Sequence, residues 1–419
     1  MIAEILSVGS ELLLGDIVNT NAAFLSKELA ALGIPVYRQS VIGDNPKRLS
    51  DSLSEALSRS DIVITTGGLG PTCDDITKET AANLFSLPLV LDEESLTAIK
   101  SFFATVGRPM TENNVKQAMV PKGATVFKNN NGTAPGIAIS SGQKTIIMLP
   151  GPPREIEPMF TQSVKPFLES FSNQTFISHT VHLFGIGESA AEAKLRDLMD
   201  NPNPTVAPYA KDGETLIRIT AGSDSKQHAD ALCKPIIDEI TSRLGEYIYG
   251  VDVGSLQNAL VQRLTNEHLT IALAESCTGG LAAKRITEIP GSSNVFGCGI
   301  VSYSNETKKN LLSVSENTLE KFGAVSPECA AEMALGALNI SGSDFALSVT
   351  GFAGPADENS DEPVGLVYIG VTDGITTEVK QLSLNRGYSN QRELIRYIAS
   401  SHLLNIALKF KPNKKNTHN

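Results

Sequence analysis

Asp61-Ile62-Val63-Ile64-Thr65-Thr66-Gly67-Gly68-Leu69-Gly70-Pro71 decides the fold of the first third of the chain. Residues 61–66 are a short β-branched run, which reads as a strand, and they enter a glycine loop with no linker. A helix follows from about Asp75. Upstream, residues 2–8 read as a buried strand and residues 36–42 as a second one. Between them Phe24, Leu25, Leu29 and Leu32 recur at helical spacing, and the pattern stops at Gly33, a natural residue to follow a helix. Asn45-Pro46 supplies an N-cap and a first-turn proline for a helix through Leu57. Downstream, residues 145–149 form another strand, ending in Pro150-Gly151-Pro152-Pro153. This β-α-β-α-β-loop-α order predicts a parallel sheet covered on both faces, with ligands at the carboxyl ends of its strands.

The remainder divides in two. Residues 175–250 alternate strand (178–184), helix (189–199), strand (215–220) and helix (226–244), a small α+β unit that suits a spacer or dimerisation module. After a helix at 255–267, strands at 270–274, 297–303 and 345–349 alternate with further helices, then strands at 365–372 and 377–384 follow one another before a last helix at 390–408. The expected fold class is therefore α/β. Two three-layer α/β/α domains with mainly parallel sheets, 1–170 and 253–412, are joined by a small α+β domain at 171–252. The tetrapeptide Thr-Gly-Gly-Leu occurs at 66–69 and again at 278–281, each time between a strand and a helix. Glycines there let an anion approach backbone amides at a helix N-terminus.

The 419 residues are too many for one core, and 41% hydrophobic content supplies enough apolar material for several. The net charge of −11 argues against nucleic acid as a partner. The one dense basic run, Lys409, Lys411, Lys414 and Lys415, reads as a solvated end. Cys73, Cys233, Cys277, Cys298 and Cys329 have no metal-ligand spacing and read as reduced thiols. No apolar run reaches the roughly 18–20 residues that span a bilayer, and the first residues do not read as an export signal. A cytoplasmic location without membrane association is the expectation.

Glu275-Ser276-Cys277-Thr278-Gly279-Gly280 places a hydroxyl and a thiol at a strand-to-helix junction beside free backbone donors. Such a junction exposes a nucleophile next to an oxyanion hole; it is also what a glycine turn with a serine N-cap looks like. Tyr303-Ser304-Asn305-Glu306-Thr307-Lys308 lies at the next junction, on the same rim of a parallel sheet. Tyr303 and Lys308 can converge there on Ser276, and a buried lysine of lowered pKa can take a serine proton. No histidine is placed for a Ser–His–Asp triad. Cys277 is a rival nucleophile, since a thiolate at a helix N-terminus is activated. The chemistry alone does not choose between them. Ser348–Pro355 forms a third rim loop, in which Thr350, Gly351 and Gly354 are candidate substrate contacts. Arg392 and Arg396, one helical turn apart, are candidates for a phosphate, or simply a basic helix face.

In the first third, Gly67, Gly68, Gly70 and Thr72 form the loop that would hold phosphates. Asp74 and Asp75, with Asp44, would hold a divalent metal through oxygen. The bland alternative makes Asp75 an N-cap and Asp74 a surface acid. The loop is not a Walker motif, because no lysine follows it.

The blocks Ala274–Gly280, Tyr303–Glu306 with Lys308, and Ser348–Pro355 resemble the signature blocks of the CinA C-terminal domain. Thr65–Thr72 with Asp74-Asp75, and Leu149-Pro150-Gly151-Pro152-Pro153-Arg154-Glu155, resemble the molybdopterin-binding fold in its CinA version. Together the likeness covers nearly the whole chain. For the C-terminal domain it implies nicotinamide mononucleotide deamidation with no cofactor. Ser276 would be the nucleophile, Lys308 the base and Tyr303 a supporting hydroxyl. Cys277, Thr278, Gly279 and Gly280 would line the substrate, and Arg392 would meet its phosphate. For the N-terminal domain the likeness implies metal-dependent ADP-ribose hydrolysis. The rivals are a molybdopterin-binding protein and a non-catalytic competence or DNA-damage partner. The partners expected are those two nucleotides and a second copy of the chain, as a cyclic dimer. Thr307, Phe352 and the acidic stretch 357–362 depart from the family pattern.

Overall fold

A computed structural model describes residues 1–171, 175–211, 213–355, 363–387 and 390–413. The stretch 357–362 and two of the tail lysines, Lys414 and Lys415, lie outside the described residues. By density of contacts the chain divides into two compact units. One is Met1–Ser178 with Thr220–Cys233; the other is His179–Ile219 with Lys234–Asn419.

The N-terminal sheet contains β1 (Ala3–Val8), β2 (Val36–Ile42), β3 (Ile62–Thr66), β6 (Thr125–Phe127), β7 (Gly136–Ser141) and β8 (Lys144–Leu149), after the small β4 (Leu89–Leu91) and β5 (Met119–Pro121) pair. Its order is β2-β1-β3-β8-β7-β6. The first four strands run parallel, and β7 and β6 add antiparallel edges. Side chains alternate across the sheet as strand geometry requires. Ile5, Ile62, Ile64 and Ile147 face Leu25 and Leu29 of the helix Thr20–Ala31. Leu6, Val63, Ile146 and Met148 face Leu49 and Leu53 of the helix Pro46–Arg59. That makes three layers.

The middle segment supplies β9 (Thr175–Phe184), β10 (Thr205–Lys211), β11 (Glu214–Ser223) and β12 (Ile248–Val251), ordered β10-β11-β9-β12, with the helices Glu188–Met199 and Lys226–Leu244. The expected strand at 215–220 is longer than its sequence signal. β10 gave no strand signal because Pro208 interrupts it, which an edge strand tolerates.

The C-terminal sheet contains β13 (Ile271–Glu275), β14 (Phe296–Val301), β15 (Phe345–Gly351), β16 (Leu366–Thr372) and β17 (Thr377–Ser383), ordered β14-β13-β15-β16-β17. β14, β13 and β15 run parallel and the last two strands turn back antiparallel. Ile271, Leu273, Phe345 and Leu347 pack under the helices Leu256–Glu267 and Arg392–Lys409. Ala272, Ala274 and Ala346 face the opposite way, towards Met333 and Ala337 of the helix Pro327–Ser341. Alanines on that face let this helix lie close to the sheet, and Ser348 ties to it by donating from Oγ to the Ala330 carbonyl.

The helix Pro327–Ser341 also presses on the end of the helix Asn305–Leu312. A Cβ at Gly336 would fall 2.1 Å from the Leu312 carbonyl oxygen. Gly336→Ala should therefore push the two helices apart and cost about 2 kcal/mol, a typical overpacking penalty. Denaturant unfolding checks this. An unchanged midpoint would mean that the contact is not a close one.

Candidate functional sites on two sheet rims

The Ser276 loop is built by its neighbours. The Ser276 amide donates to the Val349 carbonyl of β15 at 2.9 Å, and the Ser302 amide donates to the Glu275 carbonyl at 2.8 Å. The ends of three adjacent parallel strands are thus stitched together. Gly279 and Gly280 have φ of 60° and 89°, values that favour glycine. Lys308 enters from the helix Asn305–Leu312, whose N-cap Ser304 accepts from the Thr307 amide at 3.1 Å.

Lys308 is 1% exposed and Ser276 8% exposed. Lys308 Nζ lies 3.0 Å from Ser276 Oγ and donates to the Ser302 carbonyl at 2.8 Å. Among the described residues no carboxylate pairs with this amine. Burial without a counter-charge pulls its pKa below the ordinary lysine value of 10.5. The neutral amine that this favours carries a lone pair able to accept the serine proton.

Cys277 is different. Its thiol is packed in the apolar core, and burial pushes its pKa up to about 12. A protonated, enclosed thiol is not a nucleophile at neutral pH, so the expectation of helix-terminal activation fails here. The Cys277 and Thr278 amides on this loop have no oxygen acceptor among the described residues and are turned towards the Cys277 sulfur. The helix N-terminus beyond them is already filled. Glu275, buried at the end of β13, accepts from the Gly280 amide at 3.0 Å, the Ala282 amide at 3.1 Å and the Ala283 amide at 2.8 Å. The expectation that this glycine pair opens a helix terminus to an anion is therefore corrected: a carboxylate of the chain occupies it.

The remaining candidates separate. Tyr303 is 61% exposed. Its hydroxyl accepts from Arg392 Nη2 at 2.9 Å and makes no hydrogen bond to Ser276. Arg392 Nη1 also donates to the Gly354 carbonyl. Arg396 donates from Nε to the Cys277 carbonyl at 3.1 Å and from Nη2 to the Thr278 carbonyl at 2.7 Å. It is a clamp on the nucleophile loop, with Nε and Nη2 both engaged inside the protein. Thr350 is buried and donates to the Ala324 carbonyl at 2.7 Å, so its side chain does not line an open site. Gly351 abuts the Leu366 carbonyl, 2.6 Å from where a Cβ would lie. Thr278 Oγ1 and Ser302 Oγ are buried with no partner among the described residues. His402 packs edge-on to Phe184, and burial lowers its pKa to about 4. His268 ends a helix at φ 55°. Neither takes a catalytic position.

The first glycine pair has the same backbone, Gly67 and Gly68 at φ 95° and 67°, but a different outcome. A Cβ at Gly67 would lie 2.2 Å from the Val8 carbonyl oxygen. The amides of Gly68, Leu69 and Gly70 donate to nothing among the described residues. They line a cavity of about 540 Å³ with Asn19, Asn21, Asp44, Asp74, Asp75 and Glu155. Its acids are Glu11, Asp44, Asp74, Asp75 and Glu155, and no Lys, Arg or His lines it. Asn21 Oδ1 is buried there with no donor among the described residues.

Thr72 is wrapped by the two aspartates. Its amide and hydroxyl reach Asp75 Oδ2 at 2.9 and 2.6 Å, and its hydroxyl also bonds Asp74. That bond holds the Asp74 carboxyl below the usual carboxylate range. Asp75 does not cap the following helix, which starts at Thr77. Asp44 accepts from the Ser10 amide at 3.0 Å and its hydroxyl at 2.9 Å. Lys116, which the sequence did not single out, donates to the Thr72 carbonyl at 2.8 Å and to the Asp75 carbonyl, fixing the loop from outside. The described residues contain no group of three or more His, Cys, Asp or Glu arranged to hold a metal. Asp74 and Asp75 can offer two carboxylates from one loop. That set fits a hard cation completed by diphosphate oxygens, and not a resident cage of three aspartates.

Comparison with known proteins covers both rims. Residues 253–410 match the model of the CinA C-terminal domain. Residues 4–170 match the one described as "Probable molybdopterin binding domain", and residues 178–250 the damage-inducible protein CinA KH domain. A CinA-like protein of Kosmotoga olearia is 52% identical over 385 residues, 92% of this chain and 93% of that protein. A CinA-like protein of Dictyoglomus thermophilum is 49% identical over 407 residues, 97% of this chain and 98% of that one. Among solved structures, the protein CinA of Thermoplasma acidophilum, described as of unknown function, is 37% identical, with a TM-score of 0.37 over 39% of this chain and 96% of that one. No helix among the described residues is long and apolar enough to cross a membrane. With such identity along nearly its whole length, the chain belongs to the CinA family.

Proposed function

We propose that the C-terminal unit is a serine amidohydrolase that converts nicotinamide mononucleotide and water to nicotinate mononucleotide and ammonia. The observation that carries this reading is the 3.0 Å approach of the buried Lys308 amine to Ser276 Oγ. Neutral Lys308 takes the hydroxyl proton as Oγ bonds to the carboxamide carbon. The Cys277 and Thr278 amides, which no protein oxygen engages among the described residues, are the donors offered to the developing oxyanion. Lys308 returns its proton to the departing nitrogen, ammonia leaves, and an ester remains on Ser276. Water then attacks that ester and loses a proton to Lys308, which passes it to Ser276 Oγ as the ester C–O bond breaks; the product acid ionises and leaves as the carboxylate. The exposed Arg392–Tyr303 pair is the cationic group offered to the nucleotide phosphate.

A second reading concerns the N-terminal cavity. Three consecutive free amides and a wall of carboxylates without a basic side chain suit a diphosphate that arrives with a divalent cation, ADP-ribose being the substrate implied by the family likeness. Asp74 and Asp75 would hold the cation, which when bound would neutralise phosphate charge. The Gly68–Gly70 amides orient the phosphates, and Lys116 keeps the loop in place. Nucleic acid fits the middle segment poorly: no Gly-x-x-Gly, the backbone clamp of KH modules, occurs between residues 178 and 250.

Ammonia release from nicotinamide mononucleotide tests the first reading. Ser276→Ala and Lys308→Met should each lower kcat about 10³-fold, while Cys277→Ala should retain activity. Full activity in Ser276→Ala would refute it. Because only the neutral amine is a base, kcat/KM should rise with pH and level off at a midpoint below the ordinary lysine value. A rate that falls across that range would contradict the assignment. ADP-ribose cleavage to AMP and ribose 5-phosphate should stop with EDTA and fall about 10²-fold in Asp74→Asn and Asp75→Asn. Unimpaired cleavage in EDTA would exclude the cation role. A molybdopterin-binding site would instead bind pterin and cleave nothing.

A further inference from the structure

Among the five acids of the N-terminal cavity, Glu155 stands apart. It is 9% exposed, at the start of the helix Pro153–Met159 and on the wall of the cavity. Its Oε2 accepts from Asn129 Nδ2 at 2.8 Å, and that amide also donates to the Ala134 carbonyl at 2.8 Å. Gly132 lies against the carboxyl group, since a Cβ there would sit 2.2 Å from it. The side chain is thus held in one orientation, with Oε1 accepting nothing among the described residues. Asp44 and Asp75, by contrast, already hold Ser10 and Thr72, and Asp74 is tied to Thr72. Among the described residues that wall contains no His, Lys, Cys or Tyr, so its carboxylates are the side chains there able to take a proton.

We infer that Glu155 is the general base of the N-terminal site, taking a proton from the water that attacks a diphosphate. The inference rests on the diphosphate reading of that cavity. As the water oxygen bonds to one phosphorus, its proton passes to Glu155. The bridging P–O bond breaks and its electron pair stays on the departing phosphate. Two phosphomonoesters result, and the proton on Glu155 is released to solvent. The groups facing this carboxyl are Arg154 beside it, which favours its ionised form, and the acids Glu11, Asp44, Asp74 and Asp75 across the cavity. Burial outweighs the Asn129 hydrogen bond and Arg154, and raises the carboxyl pKa above the ordinary value of 4.5.

The test uses the full chain with ADP-ribose and Mg²⁺. Glu155→Gln keeps the shape and the Asn129 contact. It should lower kcat about 10²-fold or more, leave KM within about threefold, and remove the acid limb from the pH profile. In the wild type, kcat/KM should fall as pH drops through a midpoint above 4.5, a readout that needs no variant to fold. A wild-type profile without that limb, or a Glu155→Gln enzyme with kcat intact or impaired only in KM, would overturn the role of Glu155 while leaving the diphosphate reading in place. A folded wild-type protein that cleaves no ADP-ribose with any divalent cation would remove both.

Discussion

An amine buried without a counter-charge governs the C-terminal half of this molecule. Lys308 Nζ is enclosed by the packing of two helices on one sheet face, and its near partners are the Ser276 hydroxyl and the Ser302 carbonyl. An ammonium ion in such a place would be costly, so the folded state favours the base form. That arrangement requires the strand ends to be fixed. The bonds from Ser276 to β15, from Ser302 to β13 and from Arg396 to the loop carbonyls fix them. The alanines of β13 and the glycine at 336 serve the same end by letting the helices approach.

The two Thr-Gly-Gly-Leu segments show how one backbone shape serves opposite purposes. In both, the glycines turn the chain with positive φ between a strand and a helix. In the N-terminal copy three amides stay free and face a cavity walled by acids. In the C-terminal copy Glu275 fills the helix terminus, and the Cys277 and Thr278 amides follow directly on the Ser276 hydroxyl instead. The side chains around the turn decide whether it is an anion cradle or a nucleophile loop.

Much of this was readable before the structure. A β-branched run entering a glycine loop located β3, short apolar runs leading into the Ser276 and Gly351 loops located β13 and β15, and parallel order placed those loops on shared rims. The pairing of Ser276 with Lys308 followed from that topology. What escaped was carried by distance or by short signals. Lys116 reaches the Asp75 carbonyl from 41 positions away. Glu275 caps a helix from the preceding strand, outside the usual N-cap offset. The helix Glu93–Thr105 had a readable start, Asp92 followed by Glu93 and Glu94, but the three-residue strands around it carry too little periodicity to frame it. Spacing also misled: Arg392 and Arg396 share a helix face, yet Arg396 is turned onto the nucleophile loop.

The state of the Lys308 amine is the central claim, and it can be read without substrate. Lysine side chains labelled at Cε with carbon-13 report the charge on each amine by NMR, and Lys308→Met identifies the resonance. The account predicts one lysine resonance, missing in that variant, that titrates below 10.5 and moves when Ser276 is replaced by alanine. A Lys308 resonance that titrates at or above 10.5 and ignores the change at Ser276 would contradict it.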